Sequence, residues 1–130
     1  MFSAPGTLYV YRIHQVACAN LVARCGEAVL LRAGAAALVP PKTASGPGRL
    51  CRYLCLTRED DGADAVRSRR VEVRIPPTTP GPIRRGPRVG IRRATQRPLR
   101  FVLANEPSVS RPRSPRPGPF HARSRSRNAR

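Results

Sequence analysis

The sequence predicts a mostly disordered protein with a weak, small α+β portion in its N-terminal half. The 130 residues include 15 prolines and 10 glycines, only 5% are aromatic and none is tryptophan, so few large side chains can fill a core. The formal net charge of +18 favours an expanded chain unless a polyanion neutralises it. Short apolar runs in the first half are the remaining signal, and they predict only small elements.

Charge and proline divide the chain. Residues 83–130 hold 14 arginines and one acid, a charge of +13, whereas residues 1–82 carry +5. Eleven of the 15 prolines lie from Pro76 onward. High charge with little apolar content is typical of disorder. We therefore predict a weakly ordered apolar portion at 1–75 and a disordered, Pro/Arg-rich, low-complexity basic region at 76–130.

The most apolar segment lies between residue 8 and the pair Pro40-Pro41. Its first part, 8–13, is rich in Tyr, Val and Ile and predicts a short strand. Apolar residues then recur at spacings of three, four or seven, which predicts an amphipathic helix over about 15–39. The face of this helix offered to a protein partner consists of Cys18, Val22, Cys25 and Val29.

Three further stretches give weaker signals. Residues 49–58 fit either a helix or a strand, and the pattern leaves both open. Alternating Val71, Val73 and Ile75 predict a strand over about 70–75, and a last apolar run predicts another over about 99–103. The acidic residues between 59 and 64 are interpreted as a solvated turn that pairs with neighbouring arginines, because they lack the alternating ligand pattern of a calcium loop.

The candidate reactive side chains do not form a catalytic or metal-binding pattern. The four cysteines are spaced C-x6-C and C-x3-C, without the close pairs of a zinc knuckle, so reduced thiols and no metal or cofactor are predicted. His14 lies in the apolar segment and His121 in the arginine-rich tail. No phosphate-binding loop or nucleophile motif is present. The sequence alone therefore predicts a protein that is not an enzyme.

The arginine content points to nucleic acid. Lys42 is the only lysine among the 25 basic residues, and guanidinium groups suit bidentate phosphate contacts and stacking on bases. We interpret the chain as binding RNA or DNA electrostatically and without sequence specificity through its C-terminal half. The predicted contacts are Arg84, Arg85, Arg88, Arg92, Arg93, Arg111, Arg113, Arg116, Arg123, Arg125, Arg127 and Arg130.

Two alternatives stay open at this point. One is a small accessory adaptor, viral or cellular, that binds a protein through the 15–39 helix or its proline-rich segments. The other is a fortuitous or overprinted reading frame, since GC-rich DNA encodes Arg, Ala, Pro and Gly in any frame. Serines in the basic tail are candidate phosphorylation sites that would weaken polyanion binding: Ser114, Ser124 and Ser126.

The predicted location is the nucleus or nucleolus, with mitochondrion or cytoplasm as alternatives. Short arginine runs are typical of nuclear import signals. Charged residues interrupt the apolar segment before it reaches the roughly 20 residues that a membrane span requires. No integral membrane contact is therefore expected, and the sequence leaves the oligomeric state open.

Overall fold

The computed structural model describes residues 1–78 and 81–109 of the chain. These 107 residues form a small α+β domain, so the prediction of a mostly disordered protein is wrong. The elements are β1 Leu8–Ile13, β2 Val16–Arg24, β3 Glu27–Leu30, α1 Pro47–Tyr53, β4 Ile83–Gly86 and β5 Arg100–Leu103, with short 3₁₀ helices at Pro41–Ala44 and Arg58–Asp60. Small residues make the difference, because Ala, Cys and Gly allow close packing without large side chains.

Strands β1, β2 and β3 form an antiparallel sheet in that order. The β1–β2 connection is the two-residue turn His14-Gln15, and both residues have positive φ, 45° and 66°. Two positive φ values in a two-residue loop match the twist of the flanking strands. The β2–β3 turn contains Gly26 with φ 79°, next to a register shift between Val22 and Arg24. The predicted strand at 8–13 is confirmed as β1.

The predicted helix over 15–39 is wrong, because this segment forms β2 and β3. Cys18 and Val22 are both buried in β2, whereas Cys25 is exposed at the turn and Val29 on β3 is 57% exposed. A spacing of four residues places two side chains on one face of a strand as well as of a helix. The glycine turn then starts a second strand, so the four residues do not form one partner-binding face.

The core lies between one face of the sheet and the segment that contains α1. Leu8 and Val10 of β1 and Ala19 of β2 pack with Cys51, Leu56 and Ala65. The open choice for residues 49–58 resolves as helix α1, ending at Tyr53.

Helix α1 approaches the sheet closely through Gly48. A Cβ atom at position 48 would lie 2.1 Å from Cγ1 of Val16, far inside van der Waals contact. Glycine is therefore required where the helix meets the start of β2.

The acidic segment after α1 is structural. Thr57 caps the 3₁₀ helix in a capping box with Asp60, which is 5% exposed and pairs with Arg70. Pairing of the acidic turn with nearby arginines is confirmed, although Asp60 is buried rather than solvated. Arg70 is thereby held against this turn, and residues 70–75 have no strand ladder, so that strand prediction is wrong. Val73 donates one backbone hydrogen bond to Ala65.

Strands β4 and β5 form a separate antiparallel ribbon with the register Ile83↔Leu103 to Gly86↔Arg100. The strand predicted near 99–103 is confirmed as β5. In the described part of the chain, no helix has the length and apolar character needed to cross a membrane. The boundary predicted at residue 76 remains a prediction.

Candidate functional site

Two tyrosines lie side by side on the face of the sheet opposite the core. Along β1, Leu8 and Val10 point to the core and alternate with Tyr9 and Tyr11, which are half-buried. The two rings are stacked, with centroids 5.5 Å apart and an interplanar angle of 28°. Period-two alternation of a strand is what places both phenols on one surface.

The neighbouring strand adds two buried polar groups beside the tyrosines. Tyr9 pairs with Asn20 and Tyr11 with Cys18 across β1 and β2. The side-chain amide of Asn20 donates a 3.2 Å hydrogen bond to the carbonyl oxygen of Tyr9. Burial raises the pKa of the Cys18 thiol, and nearby Arg32 opposes the shift. The thiol therefore stays protonated and packs as an apolar group.

Arg32 supplies the positive charge of this surface. One of its guanidinium nitrogens, Nη1, donates a 3.3 Å hydrogen bond to the carbonyl oxygen of Val89. Burial raises the pKa of Tyr11, with smaller contributions from Cys18 and Tyr9, while Arg32 lowers it. A guanidinium carries five N–H donors, so several remain for a ligand. We call Tyr9, Tyr11, Cys18, Asn20 and Arg32 the tyrosine face.

The hairpin end beyond the tyrosine face is exposed and apolar. Ile13 is 48% exposed and its cross-strand partner Val16 is 43% exposed. The turn residues His14 and Gln15 and the adjacent Arg12 are also exposed. A projecting apolar pair beside a cation has the composition of a wedge that enters stacked bases.

The outer edge of β1 is held by the acidic turn. Val10 donates its backbone N–H to Asp61 Oδ1 at 2.8 Å, and Arg58 donates to the Val10 carbonyl. Asp61 and Arg58 also form an ion pair, with 3.5 Å between Oδ2 and Nη2. Side chains thus replace a neighbouring strand at this edge. The turn fixes the strand that carries both tyrosines.

A second cationic surface lies on α1. A cleft of about 380 Å³ is lined by Lys42, Thr43, Arg49, Arg52 and Tyr53. Its lining contains three cations and no carboxylate. Such a cleft suits a phosphate group.

The domain matches a protein family over residues 1–107, and the family model describes methylpurine-DNA glycosylases. The chain belongs to the methylpurine-DNA glycosylase family. DNA is the partner that this family implies, so the nucleic-acid interpretation is confirmed as far as DNA.

Several relatives support the same assignment. A protein of Mycolicibacterium fortuitum, named "Putative 3-methyladenine DNA glycosylase", is 40% identical over 141 residues, covering 91% of this chain and 71% of the relative. Proteins with the same name from Frankia casuarinae and Rhodopirellula baltica are 41% and 37% identical, covering 89% and 85% of this chain and 68% and 56% of the relatives. The chain thus spans between about half and three quarters of these relatives' lengths.

The family match overturns the function predicted from the sequence. A methylpurine-DNA glycosylase family member belongs among DNA repair enzymes, so the interpretation as a non-enzymatic arginine-rich binder is wrong. The adaptor alternative and the fortuitous reading frame are wrong on the same ground. The tyrosine face is assembled across separate strands, and no short motif marks it.

The predicted contact arginines are only partly described. Arg84 and Arg85 lie on β4, Arg88, Arg92 and Arg93 follow it, and all five side chains are exposed. The remaining predicted contacts and the three serines lie outside the described residues: Arg111, Arg113, Arg116, Arg123, Arg125, Arg127, Arg130, Ser114, Ser124 and Ser126.

The sequence reasoning missed the tyrosine face. Alternation of Leu8, Tyr9, Val10 and Tyr11 was the available signal, since one apolar face leaves the tyrosines on the other. All four cysteines are free, two buried and two exposed, and no group of three potential metal-ligating side chains occurs among residues 1–78 and 81–109.

Proposed function

We propose that this protein recognises an alkylated purine in DNA by holding the extruded base against the tyrosine face, and that it releases the base by hydrolysis of the N-glycosidic bond. The observation that carries the proposal is the stacked pair Tyr9 and Tyr11 beside Arg32, in a chain of the methylpurine-DNA glycosylase family. Enzymes that act on a base must take it out of the duplex and commonly hold it against aromatic side chains.

The two phenols suit a purine that carries positive charge. Alkylation at a purine ring nitrogen leaves the base cationic while it is attached to the sugar. A cation over an electron-rich ring gains about 0.5–2 kcal/mol from the ring quadrupole, in addition to ordinary stacking. Tyr11 is kept as the neutral phenol because burial raises its pKa, so the face presents aromatic surface rather than phenolate.

The hairpin end supports extrusion of the base. Ile13 and Val16 present exposed apolar surface next to the tyrosines, and Arg12 lies beside them. Insertion of apolar side chains between base steps compensates part of the unstacking cost, which is a few kcal/mol. Arg32 is placed to contact a phosphate near the extruded nucleotide.

The chemistry of a cationic purine asks little of the protein. As the bond between C1′ and the purine nitrogen breaks, its electron pair moves to the base and discharges the ring cation, so the leaving base needs no added proton. Water then adds to C1′ and loses a proton to solvent. A neutral modified purine would need protonation by a general acid. No carboxylate is among the groups that shift the pKa of Tyr11 or Cys18, so we propose cationic purines as the substrates.

The exposed arginines supply the contacts with the DNA backbone. We assign this role, without sequence preference, to Arg84, Arg85, Arg88, Arg92 and Arg93, and extend it to Arg111, Arg113, Arg116, Arg123, Arg125, Arg127 and Arg130. Phosphate contacts of this kind weaken steeply as salt is raised.

The test uses the full chain and a duplex methylated with dimethyl sulfate, with chromatography of released 7-methylguanine and 3-methyladenine and fluorescence anisotropy of binding. Tyr11→Leu should weaken the preference for methylated over unmodified duplex by about 5- to 150-fold, from roughly 1–3 kcal/mol of stacking. Tyr11→Phe should retain most of it. Tyr53→Leu, an exposed tyrosine on α1, is the matched control, and thermal melting checks folding of each variant.

Two results would overturn the proposal. Equal affinity of the wild type for methylated and unmodified duplex would remove base recognition. Preferential binding without release of either methylated purine would remove the hydrolytic step. Release of hypoxanthine from a neutral lesion at a comparable rate would contradict the proposed restriction to cationic purines.

A further inference from the structure

The β4–β5 ribbon has an exposed face that the tyrosine face does not use. Ile83 pairs with Leu103 and Arg85 with Phe101, and directly paired residues share a side of an antiparallel ribbon. Ile83 is 60% exposed, Phe101 56% and Leu103 38%. Three large apolar side chains and one arginine therefore share a single solvent-facing surface, which we call the ribbon face.

The centre of the ribbon face is an arginine stacked near an aromatic ring. The guanidinium carbon of Arg85 lies 5.0 Å from the centroid of the Phe101 ring, within the range of a cation–π contact. More than half of the Phe101 surface remains exposed despite this contact. The pair thus presents two flat groups, a ring and a guanidinium, each suited to stacking on a nucleobase.

The charge around the ribbon face selects its partner. Seven arginines lie between residues 83 and 103, and no acidic residue occurs between Glu72 and Glu106. An apolar protein surface would meet this field with no complementary charge, whereas nucleic acid brings phosphates. A duplex keeps its bases stacked inside, so it cannot cover an exposed phenylalanine without insertion. A single strand offers both an unpaired base and a phosphate.

We propose that the ribbon face is a second DNA-binding surface, specific for unpaired strands, in which a base stacks on Phe101 and the adjacent phosphates contact Arg84 and Arg85. This surface is connected to the tyrosine face through Val89, which follows β4 and accepts a hydrogen bond from Arg32. The ribbon face does not take part in base release. Its role is to hold single-stranded DNA near the site.

The test measures binding of the full chain to a fluorescein-labelled oligothymidylate of twelve nucleotides and to a duplex of the same length, by anisotropy at several salt concentrations. Phe101→Leu keeps an apolar side chain and removes the ring. We expect about 5- to 150-fold weaker binding of the single strand, from roughly 1–3 kcal/mol per stacked base. Duplex affinity and release of methylated purine should stay unchanged. Arg85→Lys keeps the charge and should cause a smaller loss, with an unchanged salt slope.

Two controls make the result decisive. Ile83→Ala removes apolar surface from the same face without removing a ring, and it should leave single-strand affinity within about twofold. Photo-crosslinking of the wild type to an oligonucleotide that contains 5-iodouracil, followed by peptide mapping, should locate the crosslink at Phe101; this readout needs no variant to fold. Unchanged single-strand binding by Phe101→Leu, an equal loss for duplex, or a crosslink elsewhere would overturn the inference. The inference survives a failure of the proposed excision, because it concerns undamaged single strands.

Discussion

Replacement of Asp60 by asparagine should unfold the domain more easily, because this carboxylate is buried and fully used. Asp60 is 5% exposed. It accepts hydrogen bonds from Nε of Arg70 and, at 2.8 Å, from the backbone N–H of Thr57. The amide of Asp60→Asn keeps one acceptor oxygen and turns a second donor toward these donors. One charge-assisted hydrogen bond, about 1.5–3 kcal/mol, is lost.

The ion pair itself adds little to this estimate. The Arg70 side chain is 63% exposed, so water screens its attraction to the carboxylate. We therefore expect a loss of about 2 kcal/mol, which corresponds to a fall of roughly 6–10 °C in the thermal midpoint for a domain of this size. Thermal and urea unfolding, followed by circular dichroism, measure it. Glu59→Gln removes the same charge from an exposed neighbour and should change the midpoint by less than about 2 °C.

The loss should depend on pH in a defined direction. The hydrogen bond from Arg70, and then that from Thr57, holds the pKa of Asp60 below its usual value. A carboxyl whose pKa is lower in the folded state stabilises the fold above its unfolded pKa of about 3.9, and the contribution is lost as pH falls through the folded pKa. The difference between wild type and Asp60→Asn should thus be full at pH 7 and shrink below pH 4. A difference equal to that of Glu59→Gln, or one that is constant with pH, would refute the reasoning.

Other consequences concern packing and thiol access. Gly48→Ala should cost about 1–3 kcal/mol of stability by overpacking, because its Cβ would meet Val16, whereas Gly86→Ala has no neighbour within 4 Å and should be tolerated; urea unfolding compares the two. In the folded chain, Cys18 and Cys51 should resist a thiol reagent at pH 8, because both are buried and burial raises their pKa, while the other two cysteines react. Four fast-reacting thiols in the native protein would contradict the described core.

Strands that end in strong local signals could be predicted from the sequence. Residues 8–13 are rich in Tyr, Val and Ile, and β1 forms there. The run near 99–103 is also β-rich and forms β5. The helix predicted over 15–39 failed because the apolar spacing of four between Cys18 and Val22 fits both periods. Only the glycine turn at Gly26 separates the two solutions, and it acts through φ, which composition does not express.

The tyrosine face could be predicted only in part. Alternation in β1 separates Tyr9 and Tyr11 from Leu8 and Val10 without any tertiary information. Arg32 could not be placed beside them, because its position depends on the β2–β3 register and on the contact with Val89. Nuclear localisation stays a prediction from the arginine runs.

The distribution of acids explains why composition was misleading about order and informative about DNA. Four of the seven carboxylates form ion pairs with arginines, and two more accept hydrogen bonds from backbone N–H groups in turns. The acids are thus spent on holding turns and the edge of β1, where each acts over a few ångströms. The excess arginines keep their charge at the surface, and their summed field acts at the Debye length of about 8–10 Å. Net charge therefore reports the partner of this domain, while its fold depends on the few acids that the net charge conceals.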